Sequence, residues 1–313
     1  MIWWALASLV ALAAAAPFLR EAMRPRLGAA TRRQAPGRFV HLPRGVTHYR
    51  WLGADDGPVV VCVHGLTTAS YVWEAIAPAL GRLGYRVLVY DLYGRGFSDR
   101  PRGEQDSTFF VGQLEALLDA LDIADAITLV GYSMGGAIAT AFAARHPGRV
   151  ARLVLLAPAG LGHDLGPVAR LVTRRSFFAD WLMRAFYARS YRGALEAERA
   201  LDSHVEDIVD RQLGELRHRG FVPAVQASLR GILDEDMAPA HRAVAEAGVP
   251  VLAIWAAEDE VIPLEAGRAT LAHWNPQAEQ AVIEGAGHAL AYTHDAEVVA
   301  HVTAGNADAG AKQ

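Results

Sequence analysis

Ile127-Thr128-Leu129-Val130-Gly131-Tyr132-Ser133-Met134-Gly135-Gly136-Ala137 is the stretch from which the fold of this chain can be read. An apolar, partly β-branched run ends at a glycine and a serine, and an alanine-rich helical pattern starts at once. That order describes a buried strand, a sharp turn carrying a hydroxyl, and a helix. Gly131-x-Ser133-x-Gly135 fits the nucleophile-elbow pattern, in which a strained turn lifts the serine Oγ clear of the sheet. Glycines are needed because a Cβ on either side would collide with the neighbouring strand and helix.

Working outward, the same alternation recurs. Phe39–Leu42 and Val46–Leu52 alternate like two meander strands around Pro43-Arg44-Gly45. Val59–Val63 is apolar throughout, as in a strand buried on both faces. A helix is expected from about Ser70 to Arg82, a strand at Val87–Tyr90, and a helix from Ser107 to Leu121. After the elbow helix come a strand at Leu153–Leu156 and, from Leu161 to Ala247, only helical patterns, with aromatics Phe177, Phe178, Trp181, Phe186 and Tyr187. Strands resume at Val251–Trp255 and Ala281–Ile283, with helices at Leu264–Trp274 and Ala289–Val302. Repeated strand–helix units predict an α/β fold, a mostly parallel sheet covered on both faces. The expected organisation is a core over 38–160 and 248–302, a helical cap over 161–247 above the strand ends, and a flexible tail over 303–313.

A serine hydroxyl is a weak nucleophile until a base takes its proton, and the base needs an orienting acid. Downstream of the elbow, Asp259 follows the strand ending at Trp255, and His288 follows the last strand in Gly285-Ala286-Gly287-His288. Both fall at strand C-terminal ends, on the rim that carries Ser133. His288 is expected as the base, with Asp259 holding its tautomer; Glu258 and Glu260 are nearby carboxylates that could substitute. The backbone N–H groups of Met134 and Leu66 are the expected oxyanion donors. His64 reads as a hydrogen-bonder beneath that loop. His163, His204, His273 and His294 read as surface or packing residues. The insert aromatics are expected mainly to pack the cap helices, with an acyl pocket as the other role.

These motifs resemble the α/β-hydrolase superfamily, in its capped serine esterase and monoacylglycerol lipase-like branch, over about Phe39–Val302. The resemblance rests on the elbow, His64-Gly65, Asp91-x-x-Gly94-x-Gly96-x-Ser98-Asp99, the Asp259 loop closed by Pro263, and Gly287-His288. Ala256 departs from it, since relatives commonly have glycine there. The resemblance implies a serine hydrolase that cleaves carboxylic esters, such as a lipophilic acyl ester or monoacylglycerol, through an acyl-enzyme. The alternatives are a carbon–carbon bond hydrolase of diketone-type ring-cleavage products, a cofactor-free haloperoxidase or perhydrolase, and a non-catalytic ligand-binding protein. Dehalogenases and epoxide hydrolases of this fold need a carboxylate where Ser133 stands.

Composition sets the remaining bounds. The chain has 313 residues, 52% hydrophobic and 20% charged, with a formal charge of -4. No basic cluster marks nucleic acid as a partner, and no His-Glu-x-x-His or paired-cysteine spacing marks a metal site. Gly94-x-Gly96 lacks the third glycine of a dinucleotide loop, so no cofactor is expected. Cys62 reads as a buried structural thiol. Met1–Leu19 carries no charged side chain, and a spanning helix needs roughly 20 such residues. Trp3 and Trp4 mark one end, and Arg20, Arg24, Arg26, Arg32 and Arg33 follow the other, within a linker expected over 20–37. The expected arrangement is a membrane anchor with the catalytic domain cytoplasmic. A cleaved signal peptide, with the domain periplasmic or secreted, and a surface-lying helix are the rivals.

Overall fold

The computed structural model describes residues 1–162 and 166–310; His163 and the last residues of the tail, 311–313, lie outside them. Strands β1 (Arg38–Leu42) and β2 (Gly45–Gly53) form the expected antiparallel meander. They are followed by β3 (Val59–Val63), β4 (Arg86–Tyr90), β5 (Ile127–Tyr132), β6 (Val150–Leu156), β7 (Val251–Ala256) and β8 (Glu279–Ile283). All eight form one sheet in the order β1-β2-β4-β3-β5-β6-β7-β8, parallel from β4 to β8. The chain steps from β3 outward to β4, then returns past β3 to β5. This reversal opens a crevice at the C-terminal ends of β3 and β5, the place where such sheets bind ligands.

The unbroken apolar run of β3 is explained by its two neighbours and two covered faces. Val61 and Val63 point into one core cluster and Val60 and Cys62 into the other. The first cluster is closed by α4 (Ser107–Ala120), α5 (Met134–Arg145), α10 (Ala238–Glu246) and α11 (Leu264–Trp274). The second is closed by α3 (Ala77–Arg82), α12 (Leu290–Thr293), α13 (Asp295–Gly310) and the cap. The cap consists of α6 (Gly166–Thr173), α7 (Phe177–Glu198), α8 (Ile208–Glu215) and α9 (Phe221–Arg230).

Several boundaries differ from the sequence-based expectation. The helix expected over 70–82 is a 3-10 turn, Ser70–Glu74, followed by α3. Pro78 has no N–H for the Glu74 carbonyl, so the helix restarts with proline in its first turn. The cap does not extend to Ala247: α10 packs on α5 and α11 and buries Val244 in the core. It is the crossover helix that the parallel step from β6 to β7 requires. The last helix also continues past Val302 to Gly310, so the expected flexible tail is helical over its described part.

The stretch read as anchor plus linker is one helix, α1 (Ile2–Met23), a short α2 (Ala29–Arg32) and extended links. α1 is long and apolar enough to cross a membrane. Its residues up to Ala13 are exposed, whereas its lower half rests on α7. Phe18 stacks on Phe177 at 5.1 Å between ring centroids, and Trp181 Nε1 donates to the Ala13 carbonyl at 3.1 Å. Buried Glu21 accepts the Gly220 N–H at 2.7 Å. The linker is itself docked, for Arg32 donates to Asp99 Oδ1 at 2.6 Å and to the Phe97 carbonyl at 3.1 Å.

Candidate active site

At the end of β5 the backbone turns through Ser133, whose φ of 54° and ψ of -120° lie outside the regions open to ordinary residues. Holding a non-glycine residue so costs about 1–3 kcal/mol. The turn is over-determined by neighbours: Ser133 N–H donates to the Leu156 carbonyl at 2.9 Å, and its own carbonyl accepts from Gly136 and Ala159. The flanking glycines are sterically required. A Cβ on Gly131 would lie 2.4 Å from the Gly135 carbonyl oxygen, and one on Gly135 only 2.0 Å from that of Val63.

Two loops from the far side of the sheet meet this hydroxyl. His288 Nε2 lies 3.0 Å from Ser133 Oγ, and His288 Nδ1 lies 2.8 Å from Asp259 Oδ2. The Asp259 side chain is 1% exposed. Its Oδ1 accepts the backbone N–H groups of Val261 and Ile262, each at 2.8 Å, so both oxygens have fixed partners. Glu258 and Glu260 are exposed, and the carboxylate on His288 is that of Asp259. Ala256 ends β7 fully buried beside Ile283, and the extra methyl does not move the acid loop away. Tyr132, next to the serine, donates its hydroxyl to the His288 carbonyl at 2.8 Å and so ties the elbow to the histidine loop.

The loop after β3 abuts the serine: a Cβ on Gly65 would touch Ser133 Cβ at 3.4 Å. Leu66 is therefore beside the elbow, and Met134, as the first residue of α5, has an N–H with no intrahelical acceptor. His64 lies under this loop, wholly buried, with Nδ1 2.8 Å from the Gly65 carbonyl and Nε2 accepting the Leu92 N–H at 2.9 Å. Burial pushes its pKa down to about 4, so it is a neutral hydrogen-bonder.

Three supporting residues carry more than their sequence positions suggested. Arg95, fully buried in the loop after β4, donates from Nε to the Leu66 carbonyl at 2.9 Å. Its remaining nitrogens reach Gln105 Oε1 at 2.7 Å and, from the cap, Ser228 Oγ at 2.8 Å. Burial lowers its pKa to about 9, which still leaves it a cation at neutral pH. Asp91 and His48 form a buried pair, Nδ1 to Oδ2 at 2.8 Å. Asp91 also accepts the backbone N–H groups of Ser70 and Phe97, which shapes the loops on either side. Burial opposes both charges, but the mutual hydrogen bond and attraction raise the pKa of His48 and depress that of Asp91. The Asp91-x-x-Gly94-x-Gly96 spacing was the only sequence signal for this network, and nothing local marked His48 as its partner. Gly96 is tight for the same reason: a Cβ there would lie 2.1 Å from Asp91 Oδ2.

The cap aromatics are not arranged as expected. Phe177, Phe178 and Phe186 are 64%, 58% and 56% exposed, on the outer surface beside α1. Tyr187 stacks on Tyr191, and the Tyr191 hydroxyl donates to the Thr67 carbonyl at 3.2 Å, seating the cap on the loop that holds Leu66. His204 pairs with Asp295, and neither His273 nor His294 touches the serine centre. Among the described residues no cluster of three or more His, Cys, Asp or Glu side chains is arranged to hold a metal.

A hydroxyl on a strained turn, an imidazole within reach and a buried carboxylate behind it form an arrangement suited to nucleophilic attack on an acyl carbon. Comparison with known proteins bears on the fold and the family. Residues 58–295 match the model of the alpha/beta hydrolase fold family. A 2-hydroxymuconate semialdehyde hydrolase from Pseudomonas sp. strain CF600 is 33% identical over 76% of this chain and 82% of its own length. Among solved structures, a thermophilic esterase from Thermogutta terrifontis superposes with a TM-score of 0.71 at 25% identity, over 87% of this chain and 99% of that one. An enol-lactonase from Burkholderia xenovorans LB400 shares the fold with a TM-score of 0.68 at 23% identity, over 85% of this chain and 100% of that one. This chain belongs to the alpha/beta hydrolase fold family.

Proposed function

We propose that this hydrolase cleaves a carboxylic ester through an acyl-enzyme, with Ser133 as nucleophile, His288 as general base and acid, and Asp259 as its orienting carboxylate. The observation that carries this reading is the unbroken relay from Ser133 Oγ through His288 Nε2 at 3.0 Å to Asp259 at 2.8 Å. His288 takes the serine proton as Oγ attacks the ester carbonyl and returns it to the departing alcohol; water then repeats the sequence on the acyl-serine. The oxyanion meets the N–H groups of Leu66 and Met134. A lipophilic acyl ester is the favoured substrate class, on the strength of the apolar α1 helix and the exposed aromatics next to it. The test is labelling with a fluorophosphonate probe together with turnover of a p-nitrophenyl ester series. Labelling and turnover that vanish in Ser133→Ala are expected; a wild-type protein that does not label would remove the acyl-enzyme.

One observation favours a second reading, carbon–carbon bond hydrolysis of a ring-cleavage product: the 33% identity to the 2-hydroxymuconate semialdehyde hydrolase. Comparing kcat/KM on p-nitrophenyl esters with that on 2-hydroxymuconate semialdehyde separates the two.

We further infer that α1 anchors the protein in a membrane with the domain on the cytoplasmic side, because arginines follow only its C-terminal end. Reporter fusions at each terminus test this, and a reporter placing the domain outside the cytoplasm would overturn it.

A further inference from the structure

Where α1 leaves its apolar run, it roofs a cavity of about 630 Å³ between the loop after β4 and cap helix α9. Five arginines line it: Arg26, Arg100, Arg102, Arg184 and Arg219. The two acids on its wall are already committed. Glu21 pairs with Arg24 at 2.7 Å and caps Gly220, while Asp99 pairs with Arg32 at 2.6 Å and accepts the Val46 N–H. Arg100 is matched by Glu215 at 2.7 Å, and Arg184 lies 3.7 Å from Asp180. Among the described residues, no ion pair engages Arg26, Arg102 or Arg219. The wall therefore carries unbalanced positive charge. Arg100, its side chain 7% exposed, is deeply set and is held in place by Glu215.

The level of the cavity matters as much as its charge. Phe18, Glu21 and Ala22 lie on its wall, at the point where the uncharged run ends at Leu19 and Arg20 begins. In a spanning helix this is where hydrocarbon gives way to headgroups. Phe177 stacks on the cavity-lining Phe18, and α7 also exposes the rings of Phe178 and Phe186. Apolar rings of this type bury into the acyl boundary just beneath the headgroups. A basic cavity at headgroup depth, with apolar rings running up from it along the helix, matches one kind of ligand on both counts.

We propose that this cavity binds the phosphate of an anionic phospholipid headgroup, with the acyl chains lying along α1 and the exposed rings of α7. The proposal rests on the membrane attachment inferred above and is independent of the Ser133 chemistry. Because α1, α9 and the loop after β4 all border the cavity, the bound lipid would hold the anchor and cap together.

The test titrates the full chain, in neutral detergent micelles, with dioctanoyl phosphatidylglycerol, dioctanoyl phosphatidylcholine and inorganic phosphate by calorimetry. Saturable binding of phosphatidylglycerol alone is expected, weakened about fivefold by each of Arg102→Gln and Arg219→Gln. Arg82→Gln, an exposed arginine outside the cavity, should leave it unchanged. Arg102 and Arg219 have no ion-pair partner, and an unchanged circular dichroism spectrum checks that the variants are folded. Equal binding of phosphatidylcholine, or binding indifferent to both substitutions, overturns the proposal. Inorganic phosphate binding as tightly as phosphatidylglycerol overturns the lipid in favour of a soluble phosphate. Failure of the same protein to float with phosphatidylcholine vesicles overturns the membrane reading and the lipid assignment with it. Loss of fluorophosphonate labelling affects only the catalytic reading.

Discussion

At the scale of single residues, the serine centre depends on small geometric margins. Asp259 reaches His288 with one oxygen and two backbone donors with the other, so Asp259→Asn keeps the shape but presents the wrong hydrogen-bonding pattern to Nδ1. We expect kcat for a p-nitrophenyl ester to drop by about 10⁴-fold with KM little changed. Gly135→Ala tests the steric account of the elbow. Its new Cβ would press on the Val63 carbonyl from 2.0 Å, and backbone on both sides leaves little room to yield. A loss of about 3 kcal/mol in urea unfolding is expected, with labelling of Ser133 reduced in the folded fraction. Ser133, Asp259 and His288 were legible in sequence because each follows a recognisable strand and sits in a distinctive turn. Arg95 and His48 were not, because their partners lie in other elements and no local spacing points to them.

At the scale of elements, the loop after β3 is held from two sides. Arg95 grips the Leu66 carbonyl from below and Ser228 of α9 at the same time, while Tyr191 of α7 reaches Thr67. On the proposed chemistry Arg95 acts as a positioning residue: it touches no reacting atom but holds the Leu66 peptide in place. Arg95→Met keeps much of the volume and removes the donors, leaving the Leu66 carbonyl and Gln105 without them. We expect kcat to fall by up to about 10²-fold, approaching loss of one oxyanion donor, with a smaller change in KM. Arg95→Lys should recover only part of it, since an ammonium cannot reproduce the forked contacts. A uniform loss of folded protein with unchanged kcat would mark the role as purely structural. The cap was recognisable as an all-helical insert, yet its C-terminal boundary was misplaced. α10 has the same amphipathic pattern as a cap helix, and only its packing on α5 and α11 assigns it to the core.

At the scale of the whole molecule, the buried His48–Asp91 pair joins β2 to the loops at the sheet rim and makes stability depend on pH. His48 has a folded pKa above its usual 6.5, so its contribution is fully present below 6.5 and is lost as pH rises through the raised value. Asp91 has a folded pKa below its usual 3.8, so its contribution is present above 3.8 and fades as pH falls through the lowered value. The pair therefore supports the fold most between about pH 4 and 6.5. Arg50 opposes the imidazolium and trims the effect. Thermal midpoints measured from pH 5 to 9 should decline for the wild type. His48→Gln should be less stable at pH 5, by about 3 kcal/mol, and decline less steeply. Parallel profiles would contradict the ion pair. The same scale governs α1. Removing residues 1–23 strips Phe177 of its stacked partner and Gly220 of the Glu21 carboxylate. The cap surface then exposes more apolar area, and the truncated domain should bind more of a hydrophobic dye while retaining Ser133 labelling.

The sequence by itself determined the fold family, the strand order along the chain and which serine, acid and histidine stand at the strand ends. Those follow from local rules: apolar runs form strands, glycines permit the elbow turn, and the loops at the strand ends carry the polar side chains. Tertiary structure alone decided which helices form the cap, that Arg95 and the His48–Asp91 pair hold the rim, and that α1 lies against the cap above an arginine-lined cavity. Those depend on contacts between residues far apart in the chain, such as Glu21 with Gly220 and Arg95 with Ser228. No periodicity within one segment encodes such meetings, because each is set by how the packed sheet orients its loops.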